Sequence, residues 1–282
     1  MSSTKFSAKY AKMKTDLHVH TKASDGAYTP TEIVKLAADK GIKLLAITDH
    51  DTIAGIMEAA EAAESLDLQL IPGIELSTTE KDKEIHILGY QINPANPVLL
   101  NSLQILAEAR ENRARQIIDK LNKLGYSLSM QDVEAKAGSE IIGRPHIALA
   151  MMERGIIQSI QEGFARFLSP GGLAYVPRYR LSPQEVIELI LNAGGLPVLA
   201  HPGIDFPAQL LPKFIDYGLA GIEVFHPDNS LQIRDYYQRR ANETGLLITG
   251  GSDFHGYDDR DFEYFGQMPI SSTTLSELLS PR

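Results

Sequence analysis

The stretch KTDLHVHTKASDG, residues 14–26, joins a short apolar strand pattern to two histidines and two aspartates. His18 and His20 are two residues apart, so on an extended strand both imidazoles lie on the same face and can chelate one ion. A lone pair of this kind is a moderate signal, because a single buried histidine is as often a hydrogen-bonded core residue. Asp16 and Asp25 flank the pair, and carboxylates near imidazoles either ligate an ion or orient its ligands. The stretch therefore predicts a metal site at a strand end.

Further apolar runs rich in Val, Ile and Leu repeat this strand pattern along the chain, each before a turn or a helix pattern. With the first run they occupy residues 14–20, 42–50, 68–77, 83–90, 195–202, 220–227 and 245–255. Helix start signals stand at Thr29-Pro30-Thr31-Glu32 and at Ser182-Pro183-Gln184-Glu185, with Gly41 and Gly194 as the matching stops. The alternation predicts an α/β fold, as a barrel or a doubly wound sheet.

The alternation breaks after about residue 92, where a long helical pattern (97–124) and shorter ones run on to about 180. Residues 100–180 carry 11 Lys+Arg and 8 Asp+Glu, a net charge of +3 in a chain of net charge −9. We therefore predict a barrel formed by residues 14–99 and 181–282. A basic helical insertion, residues 100–180, is predicted to bind substrate.

Composition excludes several classes of protein. The chain has no cysteine, which removes disulfides, zinc-thiolate sites, iron–sulfur clusters and a thiol nucleophile. The N-terminal stretch MSSTKFSAKYAKM is polar, and no apolar run reaches the ~20 residues of a membrane span, so we expect a cytoplasmic protein without membrane contact. The net negative charge argues against a general nucleic-acid binder, and we expect no DNA-binding domain. Nothing in the sequence indicates an oligomeric state.

Histidines recur at the carboxyl ends of the predicted strands, where the active sites of α/β barrels are built. They are His18, His20, His50, His201, His226 and His255. Asp49 and Asp51 flank one of them, and Asp253 stands two residues before another. Glu75, which ends the third predicted strand in the apolar setting PGIELS, is either a surface cap or a buried carboxylate that bridges two cations. The apolar flanks favour the bridge.

Six motifs, in this order along the chain, resemble those of the PHP family, named for polymerase and histidinol phosphatase domains. They are DLHVHTKASDG (16–26), ITDHD (47–51), GIELS (73–77), the histidine of EIHILGY (His86), LAHPG (199–203) and GSDFH (251–255). The resemblance implies a distorted seven-stranded β/α barrel that holds three divalent ions. The first ion would take His18, His20, Glu75 and Asp253; the second Glu75, His86 and His201; the third Asp25, His50 and His255. Asp25 stands where some relatives have histidine, which affects metal preference more than the class of reaction.

The insertion contains GRPHIA (143–148) and AYVPRYR (174–180), which resemble the branch that acts on nucleotide 3′,5′-bisphosphates and is linked to trimming RNA from its 5′ end. The resemblance implies that Arg144, Arg178 and Arg180 clamp phosphate, for which a guanidinium fork is suited. His146 would lie near the substrate or cap a helix, and Tyr175 and Tyr179 would stack on a base or pack. Arg110, Arg113 and Arg115 stand at helical spacing with acidic residues, a pattern typical of a solvated face.

Clustered cations suit the hydrolysis of a phosphate ester, because two ions can activate a hydroxide, neutralise the phosphoryl oxygens and stabilise the leaving oxygen. Imidazole and carboxylate ligands fit Mn²⁺, Fe²⁺ or Zn²⁺, and we expect Mn²⁺. Glu75 would bridge the ions. His226, at a strand end without a ligand role, would contact substrate or donate the proton to the leaving group. We therefore predict a phosphatase that removes the 3′-phosphate of nucleoside 3′,5′-bisphosphates with metal-activated hydroxide.

Other functions compete with this prediction. Within the same chemistry, the substrate could be the 5′ end of RNA or histidinol phosphate; the basic insertion favours nucleotides. A hydrolase of the amidohydrolase type also begins with HxH on a barrel strand, but it needs a bridging lysine or similar ligand, and no predicted strand ends in lysine. A non-catalytic nucleotide-binding barrel is a further alternative, because a fold does not fix a function.

Overall fold

The fold is given by a computed structural model that describes residues 13–81, 83–137 and 142–280. The polar N-terminal stretch considered above lies, up to residue 12, outside the described residues. Among the helices that the structure describes, none combines the length and the apolar character that crossing a bilayer requires.

Within these described ranges, seven strands form one sheet in which every strand pairs with its neighbours in chain order. They are β1 (Thr15–Asp16), β2 (Leu44–Ile47), β3 (Gln69–Glu80), β4 (Lys83–Tyr90), β5 (Leu196–Leu199), β6 (Gly221–Phe225) and β7 (Leu247–Gly250). The segments that follow the first and last strands are joined by a parallel bridge between Val19 and Phe254, with the N–H of His20 donating to the Phe254 carbonyl over 2.9 Å. The sheet is thus nearly closed, and the predicted seven-stranded barrel is confirmed.

Strand β4 departs from the parallel arrangement expected of a β/α barrel. It pairs antiparallel with both β3 and β5, whereas the other neighbouring strands pair parallel. Only two residues separate Glu80 from Lys83, and a parallel crossover needs a dozen or more. Because β3 continues to Glu80, Glu75 lies in its middle, and the prediction that Glu75 ends the strand is wrong.

Helices follow most of the strands and also fill the long segment between β4 and β5. They are α1 (Pro30–Asp39), α2 (Ala54–Glu64), α3 (Pro97–Lys123), α4 (Met130–Ala137), α5 (Arg144–Glu153), α6 (Ile160–Gly163), α7 (Pro183–Asn192), α8 (Leu211–Asp216), α9 (Leu231–Thr244), α10 (Asp259–Tyr264) and α11 (Ser272–Leu278). A π-helical turn, Phe164–Leu168, and a 3₁₀ turn, Ala208–Leu210, complete them.

The predicted start signals of α1 and α7 form capping boxes. Thr29 and Glu32 exchange hydrogen bonds at the start of α1, and Ser182 and Glu185 do so at the start of α7. Gly41 and Gly194 follow the two helices with φ of +74° and +78°, a conformation that favours glycine. Both starts and both stops are confirmed.

The chain divides into two compact units, each with its own apolar core. The barrel unit comprises the described residues up to Leu100 and from Leu181 onward, and the insertion unit is Asn101–Arg180. Leu17, Leu44 and Leu88 are among the residues that fill one part of the barrel core. Leu121 and Phe167 are completely buried in the core of the insertion unit.

Candidate metal centre

Glu75 lies at the centre of a group of histidines in the barrel unit. Its side chain is completely buried in β3. Its Oε2 atom lies 3.1–3.3 Å from ring nitrogens of His18, His20 and His50. Its Oε1 atom lies 2.9 Å from His86 Nδ1 and 3.1 Å from His201 Nε2. The two carboxylate oxygens therefore face two different sets of imidazoles.

In the part of the chain that the structure describes, three overlapping groups have ligand atoms close enough to share an ion, all within 4.8 Å of one another. They are His18, His20, Glu75 and Asp253; His50, Glu75 and His86; and His20, Asp25, His50 and His255. The structure thus brings together in one place all nine residues proposed as ligands from the sequence, with His201 beside Glu75. His20 and His50 each belong to two groups, whereas the sequence assigned each of them to one.

The donor atoms of these groups fit divalent ions. Four buried ring nitrogens make no hydrogen bond of suitable geometry within the residues that the structure describes: Nδ1 and Nε2 of His20, Nδ1 of His50 and Nδ1 of His86. A Glu75 oxygen lies within 3.3 Å of three of them but is poorly aligned for a hydrogen bond. A buried polar atom that makes no hydrogen bond is costly, and buried charges are paired or bind metal. Imidazole nitrogens and carboxylate oxygens are ligands for Mn, Fe and Zn.

The electrostatics of the metal-free protein follow from burial and from the facing charges. Burial opposes ionisation of Glu75, but His50, His18 and His86 outweigh it and hold the pKa of Glu75 well below its usual value. Burial lowers the pKa of His50 to about 4. Burial also acts to lower the pKa of His20, but contact with Asp253 and Glu75 raises it to about 10. Protons on imidazoles thus compensate the carboxylates where cations would otherwise do so.

Abrupt backbone turns after β5 and β7 direct two of the proposed ligands inward. His201 and Asp253 have φ of +25° and +55°, in the left-handed region that is rare for residues other than glycine. Gly251 allows β7 to approach β1, because a Cβ on Gly251 would lie 2.2 Å from the Cβ of His18. Backbone strain of this kind concentrates at functional sites.

Two aspartates that the sequence placed near the histidines hold the surrounding backbone. Asp16 is fully buried and accepts from the N–H groups of Ser252 over 2.9 Å and Gly266 over 2.7 Å, and burial raises its pKa to about 6. Asp49 accepts from the N–H of Thr21 over 2.7 Å and from the Ser24 hydroxyl over 2.6 Å. Asp49 thereby fixes the loop that carries Asp25.

Glu223, in β6, escaped the sequence-based prediction. It is completely buried, its Oε1 lies 3.0 Å from His18 Nδ1, and its Oε2 accepts from the N–H of His201 over 2.8 Å. The run GIEVF carried a signal, since a glutamate among apolar strand residues must have a partner if it is buried. The same signal identified Glu75.

His226 follows β6 at the edge of the ligand groups. Its Nδ1 accepts from the N–H of Asp228 over 3.1 Å, and its Nε2 lies 3.4 Å from Oδ2 of Asp253. In the neutral imidazole an acceptor at Nδ1 assigns the proton to Nε2. This arrangement makes His226 a donor beside the ligand groups.

A cavity of about 770 Å³ in the barrel unit reaches these residues. His86, His201, His226 and Asp253 line one part of it. Apolar side chains, including Ile204, Phe206 and Ile233, line another part. Small-molecule sites commonly have volumes of ~300–1,000 Å³ and combine apolar walls with a few polar groups.

The substrate-binding residues proposed from the insertion all lie in the insertion unit. Arg144 donates from Nη1 to the Leu168 carbonyl over 3.1 Å, with its guanidinium carbon 5.3 Å from the centre of the Phe164 ring. His146 accepts at Nδ1 from the N–H of Gly143 over 3.1 Å, which is the capping arrangement. Arg178 and Tyr175 are partly exposed.

One arginine of α3 does not lie on a fully solvated face. Arg113 is partly buried and donates from Nε to the Val176 carbonyl over 2.8 Å. Its burial, together with the charges of Arg144, Arg180 and Arg110, lowers its pKa to about 10. Several cations of the insertion unit therefore lie close enough to repel one another.

The sequence is similar to those of proteins of known class. The sequence pattern of the PHP domain matches residues 16–133. A 3′,5′-nucleoside bisphosphate phosphatase of Chromobacterium violaceum is 35% identical over an alignment of 262 positions, which covers 90% of this chain and 92% of the relative. The 5′-3′ exoribonuclease Rnm of Escherichia coli is 34% identical, over 90% of this chain and 88% of the relative. This chain belongs to the PHP family.

A solved structure supports the assignment to the PHP family. The crystal structure of a proposed metal-dependent phosphoesterase from Bifidobacterium adolescentis superimposes with a TM-score of 0.80 at 33% identity, over 95% of this chain and 96% of the other. As a PHP-family member the chain is a hydrolase of phosphate esters. Its clustered His, Asp and Glu side chains suit divalent metal ions.

Proposed function

We propose that this chain is a metal-dependent phosphatase that removes the 3′-phosphate of nucleoside 3′,5′-bisphosphates. The observation that carries the proposal is the arrangement of three ligand groups around the buried Glu75 in one barrel. The similarity to the Chromobacterium violaceum phosphatase, over nine tenths of both chains, supports the choice of substrate. The proposal includes three ions, Mn²⁺ in preference to Fe²⁺ or Zn²⁺, and keeps the cytoplasmic location expected from the sequence.

The roles of the ligands follow from their contacts. Glu75 would bind one ion through Oε2 together with His18, His20 and Asp253, and a second through Oε1 together with His86 and His201. Asp25, His50 and His255 would hold the third. Divalent ions in such a cluster activate water as a nucleophile and neutralise the phosphoryl oxygens.

His226 would act on the leaving group. Its Nε2–H faces Asp253, and the Asp228 N–H at Nδ1 holds the ring in that tautomer. A donor fixed in this way can stabilise the ester oxygen that leaves by a hydrogen bond. The cavity beside it is large enough for a nucleoside.

The insertion unit would supply the binding of the second phosphate. We assign this role to Arg144 and Arg178, with Tyr175 and His146 as further substrate contacts. A guanidinium pairs with phosphate oxygens in bidentate fashion, and the charge of the insertion, +3, suits a substrate with two phosphates. The 5′-phosphate would bind there while the 3′-phosphate reacts.

Hydrolysis of a panel of substrates by the Mn²⁺-loaded protein tests the proposal. Adenosine 3′,5′-bisphosphate should be hydrolysed faster than histidinol phosphate, with 5′-AMP as the nucleotide product. A 3′-AMP product, or equal turnover of histidinol phosphate, would contradict the proposal.

The basic insertion and the similarity to Rnm also favour a second activity, 5′-3′ trimming of RNA. Short 5′-phosphorylated RNA belongs in the same panel for that reason. Sequential release of mononucleotides at a rate above that of bisphosphate hydrolysis would make RNA the preferred substrate.

Matched arginine variants test the assignment of the insertion. Arg144→Ala should raise KM for the bisphosphate by ~10-fold or more, as expected for the loss of a charged hydrogen bond of ~1.5–3 kcal/mol. Arg115→Ala is the control, because Arg115 is exposed and pairs with Glu111 in the same helix. Equal KM values for both variants would remove Arg144 from the binding site.

A further inference from the structure

Glu223 contacts two proposed metal ligands that come from different strands of the barrel. Its carboxylate lies 3.0 and 3.1 Å from Nδ1 of His18, which follows β1, and 2.8 Å from the backbone nitrogen of His201, which follows β5. We propose that Glu223 is a positioning residue: it orients His18 for the first ion site and holds the backbone of His201 for the second. This inference rests on the proposed metal centre but not on the identity of the substrate.

The contact with His18 fixes which ring nitrogen is available to an ion. A carboxylate at Nδ1 keeps the proton there and leaves the lone pair on Nε2. His18 Nε2 is the atom that faces the proposed first ion, 3.2 Å from Glu75 Oε2 and 3.3 Å from Asp253 Oδ1. Carboxylates behind ligand histidines orient the ring and raise its basicity in this way.

The contact with His201 holds a strained backbone. His201 has a φ of +25°, and its N–H donates to Oε2 of Glu223. In this conformation its Nε2 lies 3.1 Å from Oε1 of Glu75, the oxygen assigned to the second ion. Strained residues persist where surrounding interactions hold them, and the Glu223 carboxylate supplies one such interaction.

A carboxylate suits this place better than an amide. Oε1 and Oε2 both face the Nδ1–H of His18, and Oε2 also accepts from His201, so both oxygens serve as acceptors. The amide of glutamine has one acceptor oxygen, and its NH₂ group would face an N–H donor. Glu223 is completely buried, so water cannot replace the lost acceptor.

The test compares Mn²⁺ affinity in the parent protein and in Glu223→Gln, with free Mn²⁺ counted by its electron paramagnetic resonance signal. We expect ~10–100-fold weaker binding at two of the sites, the usual effect of removing such a partner. Saturating Mn²⁺ should restore much of kcat while KM for the phosphate substrate stays unchanged. Glu185→Gln, in the capping box of α7, is the control and should bind Mn²⁺ like the parent.

The outcomes separate this inference from the proposed function. Failure of the parent to bind Mn²⁺ would overturn the metal centre and the inference with it. Parent-like Mn²⁺ affinity in Glu223→Gln, or a lower melting temperature of the metal-free variant with unchanged affinity, would overturn the inference alone.

A measurement on the parent protein keeps the inference testable if the variant does not fold. Nitrogen-15 NMR of the Zn²⁺-loaded protein should show His18 with its proton on Nδ1, slow to exchange with solvent. A proton on Nε2 of His18, or rapid exchange at Nδ1, would overturn the inference.

Discussion

At the scale of single residues, Glu75 concentrates the chemistry because five imidazoles face its two oxygens. Glu75→Gln removes the charge that would bridge two ions, so we expect the variant to bind at least one ion fewer. Phosphate release should fall by more than ~100-fold, since even the outer partners of metal ligands contribute ~10–100-fold. Elemental analysis of the purified protein and a phosphate-release assay measure both effects.

Glu80→Gln is the matched control for that variant. Glu80 lies in the same strand and pairs with Lys213 near the surface, over 3.0 Å. It should keep the metal content and the turnover of the parent. Full activity in Glu75→Gln would contradict the bridging role.

The protonation of the ligand histidines predicts how metal binding depends on pH. In the metal-free protein the pKa is about 10 for His20 and about 9 for His86, whereas that of His50 is about 4. An ion needs neutral imidazoles, so His20 and His86 must release protons at neutral pH, whereas His50 has none to release.

We therefore expect affinity for Mn²⁺ to rise as pH increases from 6 towards 9, with net proton release at pH 7. Calorimetric titration in two buffers of different ionisation enthalpy counts the protons released. Affinity that is constant from pH 6 to 9 would contradict the prediction.

At the scale of strands and helices, the approach of β7 to β1 depends on Gly251. A Cβ there would lie 2.2 Å from His18 Cβ and 2.6 Å from the backbone nitrogen of His18. Neither atom can move aside without a shift of the backbone. We expect Gly251→Ala to lower the free energy of unfolding by ~1–3 kcal/mol, as overpacking does, and to reduce Mn²⁺ affinity because His18 is displaced.

Chemical denaturation and Mn²⁺ titration of the same sample measure both effects. Gly203→Ala is the control for stability, since a Cβ at that position meets no heavy atom within 4 Å. A Gly251→Ala variant as stable as Gly203→Ala would show that the two strands can separate without cost.

Local sequence patterns predicted most of these elements and most of the side chains that the structure brings together around Glu75. Strands and helix caps are determined by residues that are close together in sequence, as at Thr29 and Ser182. They can therefore be predicted from one sequence. The direction of β4 depends on the length of its connection to β3. The strand pattern alone does not indicate direction, but the short connection in the sequence indicates an antiparallel pair. Glu223 was missed although it stands among apolar strand residues as Glu75 does, because none of the six family motifs includes it.

At the scale of the whole molecule, bound ions should stabilise the barrel unit, to which all the proposed ligands belong. An ion at 100 times its dissociation constant adds ~2.7 kcal/mol to the free energy of unfolding. For a unit of this size that corresponds to a rise of ~5–10 °C in the melting temperature. Differential scanning calorimetry with Mn²⁺ and with EDTA measures the shift.

The same comparison on Glu75→Gln provides the control, because this variant should show a smaller shift. Equal melting temperatures with Mn²⁺ and with EDTA in the parent would contradict metal binding in the barrel unit.

The segments after β1 and β7 are joined only narrowly, so the proposed first ion would also contribute to the stability of the barrel. The join consists of one bridge, Val19 with Phe254, and the hydrogen bonds beside it. The ligand group of that ion takes His18 and His20 from one side of the join and Asp253 from the other. An ion held there would act like a cross-link between distant parts of the polypeptide and restrict the unfolded chain. The ion proposed for catalysis would therefore also help to keep the barrel closed.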